Sequence, residues 1–318
     1  MIATVTLNPC IDKTVTVDHF DIYRMNRVQV LRTDPSGKGI NVSKALHALG
    51  VVTLCSGFDY TDGTPSPLVT DLDALGIPHS FVPVKGALRL CTKIFDRERK
   101  HTIEINEGGA SVGGKDVDAM LERVVQIAKS SSYLTLSGSL PLGVGADFYK
   151  RCLLRIHKHA PNCRVVVDAE RDVLLSALEA APYLIKPNLD EFEGTFQCKI
   201  NSIKALDTAA REVLNTYRLS MICISMGSDG AYLADAENAY VCEPAKVEVR
   251  SLQGAGDSMV AGICMALEKG LPLHEILRYG IASAGAMVMR EGTQVGSYKD
   301  FEKILNSDLK LRQYFGGK

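Results

Sequence analysis

Apolar positions along the chain recur with two periods. Residues 2–7 read as a buried strand ending at Asn8-Pro9. Asp12 and Lys13 fall in the turn that follows. Thr14 to Phe20 and Val28 to Arg32 alternate apolar and polar, the pattern of half-buried strands. Asp34 to Gly39 reads as a glycine-rich loop. Asn41 then caps a helix carrying Val42, Ala45, Leu46 and Leu49, closed by Gly50. Val51 to Gly57 is a strand, and a helix over 66–75 stops at Gly76 with Pro78 beyond. Strands follow at 79–84, 89–96 and 101–106, the last two joined through the polar tip Asp96 to Lys100. From about residue 115 helix and strand alternate: helix 115–129, strand 132–137, helix 145–158, strand 164–168, strand 182–186, a helix containing Glu191, helix 203–217 and strand 220–225. Short strands continue to Val249. Met259, Val260, Ile263 and Leu267 set a helix with Asp257 or Ser258 as its N-cap, and a small-residue helix from Ile276 to Arg290 closes the domain.

Strands alternating with helices predict an α/β fold, a mainly parallel sheet with helices on both faces. Ligands in such sheets bind past the carboxyl ends of the strands. Asn8, Asp12, Ser137, Asp168, Lys186, Asn188, Ser225 and Asp257 all fall at that edge. The strands at about 12–35 and 87–107 break the alternation and predict a small β-sheet lid inserted into one domain spanning 1–318.

Composition narrows the function classes. The chain has 318 residues, 46% hydrophobic and 23% charged, with a net charge of -1. That balance gives no electrostatic case for nucleic acid or membrane surfaces. No apolar run approaches the roughly 20 residues of a membrane span. The amino-terminal segment lacks the basic region of a secretory signal, so a cytoplasmic location is expected. Nine cysteines occur without Cys-x-x-Cys spacing and read as reduced, buried thiols. His157 and His159, two apart, do not share a helix face, and no metal-ligand cluster is expected.

Candidate chemistry concentrates at Gly254-Ala255-Gly256-Asp257-Ser258. A small-residue turn before a helix lets backbone N–H groups point at an anion, and the helix dipole adds to the attraction. Asp257 beside it is the candidate base, ionised at neutral pH, with Ala255 and Gly256 facing a transferring phosphoryl group. The turn is not a dinucleotide fingerprint, because Met259 stands where a third glycine is needed. Neither Gly37-Lys38 nor Gly114-Lys115 is followed by the Ser or Thr of a Walker loop. Asn188 and Glu191, three apart at a helix start, can order Mg²⁺ with its waters; the same spacing is that of a capping box. Gly37-Lys38-Gly39-Ile40-Asn41 can wrap a polyol. Arg27, Arg89 and Lys93 lie on the lid strands and can hold a substrate phosphate. Ser225, Gly227 and the small face of the last helix (Gly280, Ala282, Ser283, Ala286) can flank an adenine, or can serve close helix packing.

These motifs resemble the ribokinase-like (PfkB) carbohydrate kinases over nearly the whole chain. Thr6-Leu7-Asn8-Pro9, Gly37-Lys38-Gly39-Ile40-Asn41-Val42, Ser137-Gly138-Ser139-Leu140-Pro141, Lys186-Pro187-Asn188 with Glu191, and Gly254-Ala255-Gly256-Asp257-Ser258 occur in the family's order and spacing. Glu104-Ile105-Asn106 and the first two motifs resemble its hexose-phosphate branch, which holds the 1-phosphofructokinases and tagatose-6-phosphate kinases, with the nearer likeness to the former. The resemblance implies ATP- and Mg²⁺-dependent phosphorylation of a ketohexose phosphate, fructose 1-phosphate to fructose 1,6-bisphosphate, with tagatose 6-phosphate or fructose 6-phosphate as alternatives. It implies Asp257 as base and Gly254, Ala255 and Gly256 as anion hole. Asn188 and Glu191 order the metal. Asp12, Gly37, Lys38, Asn41 and Ser137 hold the sugar, and Arg27, Arg89 and Lys93 its phosphate. Lys186, Asn188, Ser225, Gly227, Gly230 and Ser283 lie along the nucleotide. The family's lid often mediates dimerisation, so a homodimer through the lid is expected. Cys91 stands where the branch usually has Asn, within Arg89-Leu90-Cys91-Thr92-Lys93. A kinase of an unphosphorylated sugar has no use for Arg27, Lys38, Arg89 and Lys93, and a non-catalytic sensor has none for the intact Gly254–Asp257 motif.

Overall fold

A computed structural model describes residues 1–292 and 294–314. The strands in chain order are β1 (Ile2–Thr6), β2 (Cys10–Val17), β3 (Gln29–Ser36), β4 (Thr53–Thr61), β5 (His79–Lys85), β6 (Arg89–Asp96), β7 (His101–Asn106), β8 (Tyr133–Ser137), β9 (Arg164–Asp168), β10 (Leu184–Ile185), β11 (Met221–Ser225), β12 (Ala231–Ala234), β13 (Ala239–Cys242) and β14 (Leu311–Gln313). The helices are α1 (Lys38–Ala48), α2 (Pro67–Leu75), α3 (Gly114–Ala128), α4 (Phe148–His159), α5 (Arg171–Leu178), α6 (Leu189–Phe196), α7 (Ile203–Tyr217), α8 (Ala255–Glu268), α9 (Leu273–Val288) and α10 (Tyr298–Leu305).

The large sheet runs β14-β13-β12-β11-β10-β9-β8-β1-β4-β5, parallel from β11 through β5 and antiparallel from β11 outward to β14. The second sheet has the order β3-β2-β6-β7. The mainly parallel sheet with a separate small one is the architecture the alternation predicts. β1 shows why it holds. Its odd residues Ala3 and Val5 join the core against α3 and α4, while Ile2 joins that of α1, α8 and α9. Each buried Val, Leu or Ile side chain contributes about 1.5–3 kcal/mol. Thr4 on the second face bonds Ser43 of α1 at 2.7 Å, and the Thr6 hydroxyl accepts from Ile40 N at 3.0 Å. Among the described residues, no helix is long and apolar enough to cross a membrane.

Four local expectations change. β2 begins at Cys10, so Asp12 sits on a strand rather than in a turn; the parallel pairing with β6 that puts it there is non-local. α1 is capped by Gly37, and Asn41 lies inside the helix. A Cβ at Gly37 would stand 2.7 Å from Thr6 Cγ2, and one at Gly39 2.6 Å from Thr6 Oγ1, so the glycines let α1 dock directly onto β1. α8 is capped by Gly254 in the left-handed region (φ 75°), which leaves Asp257 in the first turn rather than at the N-cap. Finally, α5, α10 and β14 lie outside the expected elements, and because β14 pairs with β13 in the large sheet, the helix predicted from Ile276 does not close the domain. α10 carries a Ser297 cap and buries Phe301 and Ile304, three apart.

Candidate active site

Asp257 is 7% exposed and accepts a hydrogen bond from Asn41 Nδ2 at 2.8 Å. Burial pushes its carboxyl up to about 6, with the Asp168 carboxylate adding to the effect and Lys38 and Asn41 opposing it. Desolvation thus outweighs the helix dipole on which the sequence reading relied. A base with a pKa near 6 is still mostly ionised at neutral pH and closer to the optimum for proton transfer. The turn before it is more engaged than expected: Ala255 N donates to Leu252 O at 3.3 Å. Lys186 compensates, its Nζ 3.5 Å from where a Gly256 Cβ would be, so a cation stands against the helix start.

Asp168 at the end of β9 ties these groups together. It is 1% exposed, and its Oδ1 lies 3.3 Å from Lys38 Nζ and 3.5 Å from Lys186 Nζ. Burial alone would raise its carboxyl, but the two ammonium groups prevail and hold it below the usual range. Lys38 also reaches Glu191 Oε1 at 3.5 Å. Burial would release the Lys38 proton; Asp168, Glu191 and Asp257 retain it, and the ammonium is charged at every relevant pH.

Beside Lys38 opens a cavity of about 770 Å³, walled by Asn8, Gly37, Lys38, Arg89, Ser137 and Glu191 and roofed from β7 by Glu104 and Asn106. Asn8 Oδ1, Ser137 Oγ and Asp168 Oδ2 are buried without a partner among the described residues. Orphaned buried oxygens of this kind mark where a polar ligand completes the bonding. Lys38 and Arg89 line this polar cavity at the carboxyl edge of the parallel sheet, while Asp257, Asp168 and Lys186 lie outside its wall and connect to it through Lys38. Buried carboxylates and cations set beside a polar cavity suit the transfer of a charged group.

Residues 5–300 match the family model described as pfkB family carbohydrate kinase. The chain belongs to that family. The kinase is 30% identical over 305 residues to 1-phosphofructokinase of Vibrio cholerae, covering 95% of this chain and 94% of that protein. It is 32% identical over 305 residues to 1-phosphofructokinase of Bacillus subtilis, covering 96% and 97%. Among solved structures it is similar to phosphofructokinase-2 from Escherichia coli in complex with fructose-6-phosphate, with a TM-score of 0.86 and 27% identity over 96% of this chain and 97% of that one. Family membership makes it a phosphotransferase with an alcohol acceptor and ATP as donor.

Not every predicted residue reaches the kinase's cavity. Arg89 does, anchored by Nε to Asn8 O at 3.2 Å. Lys93 is buried and paired with Asp12 at 3.2 Å, so neither lines the cavity wall, and Lys93 is not a free cation. Arg27 is exposed on the loop between β2 and β3, not on a strand. Asn41 turns to Asp257 instead of the cavity. Ser283 is buried, its Cβ 2.8 Å from where a Cβ on Gly262 of α8 would be, so its small size serves the α8–α9 contact. Ser225 bridges Asn188, and Gly227 and Gly230 shape the turn after β11. Asn188 and Glu191 do form a capping box: Asn188 Oδ1 accepts from Glu191 N at 2.7 Å and Glu191 Oε2 from Asn188 N at 2.8 Å. Glu191 Oε1 remains turned toward Lys38 and the cavity.

Two features escaped the sequence reading. Asp168 received no role, although its place at a strand's carboxyl end was a signal for one. Contrary to the expectation that no metal-ligand cluster exists, Cys10, Asp12 and Cys91 come together in the small sheet. No spacing in the sequence brings residues 10 and 91 into contact.

Proposed function

We propose that this kinase transfers the γ-phosphoryl of ATP to the free primary hydroxyl of fructose 1-phosphate, giving fructose 1,6-bisphosphate. The observation that carries the reading is Asp257, held by Asn41 at the start of α8 while Lys38 and Lys186 flank Asp168 beside it. Asp257 orients the hydroxyl and takes its proton. Lys186 and the Gly254–Gly256 turn bear the charge of the transferring group, and Lys38 neutralises the approach of two anions. Gly37, Lys38 and Ser137 hold the sugar, with Asp12 behind them, and Arg89 takes its phosphate. Ser225, Gly227 and Gly230 follow the nucleotide, in a single kinase domain whose small sheet serves as lid.

Mg²⁺ fits the donor chemistry: Glu191 offers a carboxylate in the cavity wall, oriented by its capping box with Asn188, and one carboxylate with waters and phosphate oxygens suits a hydrated ion. When bound, it supplies charge neutralisation between the phosphates. A homodimer through the lid is supported by its exposed apolar face, Tyr23 (89%), Met25 (79%) and Leu31 (53%). A cytoplasmic site of action fits a small anionic substrate and reduced thiols.

The test is coupled ADP release with Mg-ATP against fructose 1-phosphate, fructose 6-phosphate and tagatose 6-phosphate. The highest kcat/KM is expected for fructose 1-phosphate, the substrate named in the curated relatives at 30–32% identity. A preference for fructose 6-phosphate, the ligand in the solved relative, would leave the chemistry and reassign the substrate.

A further inference from the structure

Cys10 of β2 and Cys91 of β6 stand with Asp12 on adjoining strands of the small sheet. One ligand atom from each lies within 4.8 Å of the others, and all three residues are buried. Cys10 Sγ donates to Asp12 Oδ1 at 3.8 Å, and neither thiol is in a disulfide. We propose that Cys10, Cys91 and Asp12 form a site for a soft divalent cation, Zn²⁺, built into the small sheet beside the sugar cavity.

The donor set has the right chemistry. Zn²⁺ takes thiolates at about 2.3 Å and carboxylate oxygens at about 2.0–2.2 Å, so tetrahedral ligand atoms stand roughly 3.5–3.8 Å apart. Ligand atoms already within 4.8 Å need only small side-chain movements to close on the ion. Three protein ligands leave a fourth position for water or an anion. The strand register argues against the rival product, a disulfide. Cys10 is paired with Arg89 and Cys91 with Asp12, so the two cysteines are diagonal neighbours, two residues out of step. Strand spacing and rise put such Cα atoms about 8 Å apart, beyond the roughly 4.4–6.8 Å that a disulfide spans. A metal bridges that gap because it adds its own radius between the sulfurs.

Ligand thiols give up their protons as the ion binds, so the affinity of the site should rise with pH. Arg89 and Lys93 flank Cys91 on the same face of β6 and are the cations the ion must tolerate. Two thiolates and a carboxylate outweigh them. Binding pulls Asp12 from Lys93. Resting on the proposed function, in which Asp12 supports the sugar site, Zn²⁺ loading raises KM for the sugar phosphate.

The test uses the full chain, reduced and stripped of metal. Co²⁺ should give thiolate-to-cobalt charge-transfer absorption, and Zn²⁺ competition against a chromophoric chelator should show one ion per chain. Cys10→Ala should weaken Zn²⁺ binding on the order of 100-fold, and Cys91→Asn, the residue usual in the branch, should do the same; thermal melts establish that both fold. Equal Zn²⁺ affinity in the native chain and Cys10→Ala overturns the site. So does a Co²⁺ spectrum without thiolate bands, or a Cys10–Cys91 disulfide in peptide maps of air-exposed protein that takes up no metal. A Zn²⁺-dependent rise in KM that Cys10→Ala abolishes supports both the site and the role of Asp12. Tight binding with unchanged KM supports the site and overturns that role.

Discussion

The catalytic end of the site and its substrate end are built differently. Asp257 in the first turn of α8, Asp168 at the end of β9 and Lys186 just past β10 are each less than a tenth exposed, with the Asp168 carboxylate 3.5 Å from the Lys186 ammonium. The proposed substrate end draws on the small sheet, where β7 is largely exposed and Arg89 donates to two backbone carbonyls, Asn8 O and Glu107 O, each at 3.2 Å. Low dielectric makes charges at the first end strong and their positions expensive to change. The second end is freer to vary.

The largest test of that division is Asp257→Asn. It should lower kcat by about 10²-fold or more, the scale of general base catalysis, with little change in sugar-phosphate KM. Stability should move the other way. The folded carboxyl at about 6 lies above the ordinary 3.8, so protonation favours the fold, and ionisation costs stability progressively from about pH 4 and in full above about pH 6. Removing the charge should stabilise the protein at neutral pH by up to about 3 kcal/mol, a gain that disappears below about pH 4. Denaturant melts at pH 7 and pH 4 read it directly. A variant both inactive and less stable at pH 7 would mean that Asp257 is held by its contacts rather than strained by burial.

Lys38→Ala comes next, because Lys38 joins the two ends. It should cut kcat/KM for the sugar phosphate by roughly 30- to 100-fold while the KM for ATP moves little. A loss confined to ATP binding would detach Lys38 from the sugar. The pH profile of the native enzyme is the third test. kcat/KM should fall about tenfold per unit below pH 6, as Asp257 is protonated. A flat profile down to pH 5 would show that the loose transition state needs no ionised base.

The catalytic end was legible because its signals are local. A glycine turn, a carboxylate and a helix pattern fall within a few residues at 254–267, and the Asn188–Glu191 spacing announced its own cap. The substrate end was not, because its geometry is set by partners far along the chain. Asp12 and Lys93 each read as a free charge, and only the β2–β6 pairing turns them on each other. Asp168 drew no role because its significance lies in two lysines, 130 residues before it and 18 after it in the chain. Asn41 had the composition of a cap, yet the close approach of Gly37 and Gly39 to Thr6 starts the helix a turn earlier.

The smallest expected effects concern the outer face of the small sheet. Leu31→Asp puts a charge on the small sheet at an apolar side chain that is 53% exposed. If that face holds a second copy, the variant should sediment as a monomer while the native chain does not. Arg27 stands on the loop between β2 and β3, exposed and outside its own chain's cavity. Arg27→Ala should therefore change sugar-phosphate KM by less than about twofold, the scale expected of an exposed charge without a buried partner. A larger effect that vanishes in the Leu31→Asp background would mean that the guanidinium acts on the site of a partner, and the exposed face would then supply substrate contacts as well as contact between copies.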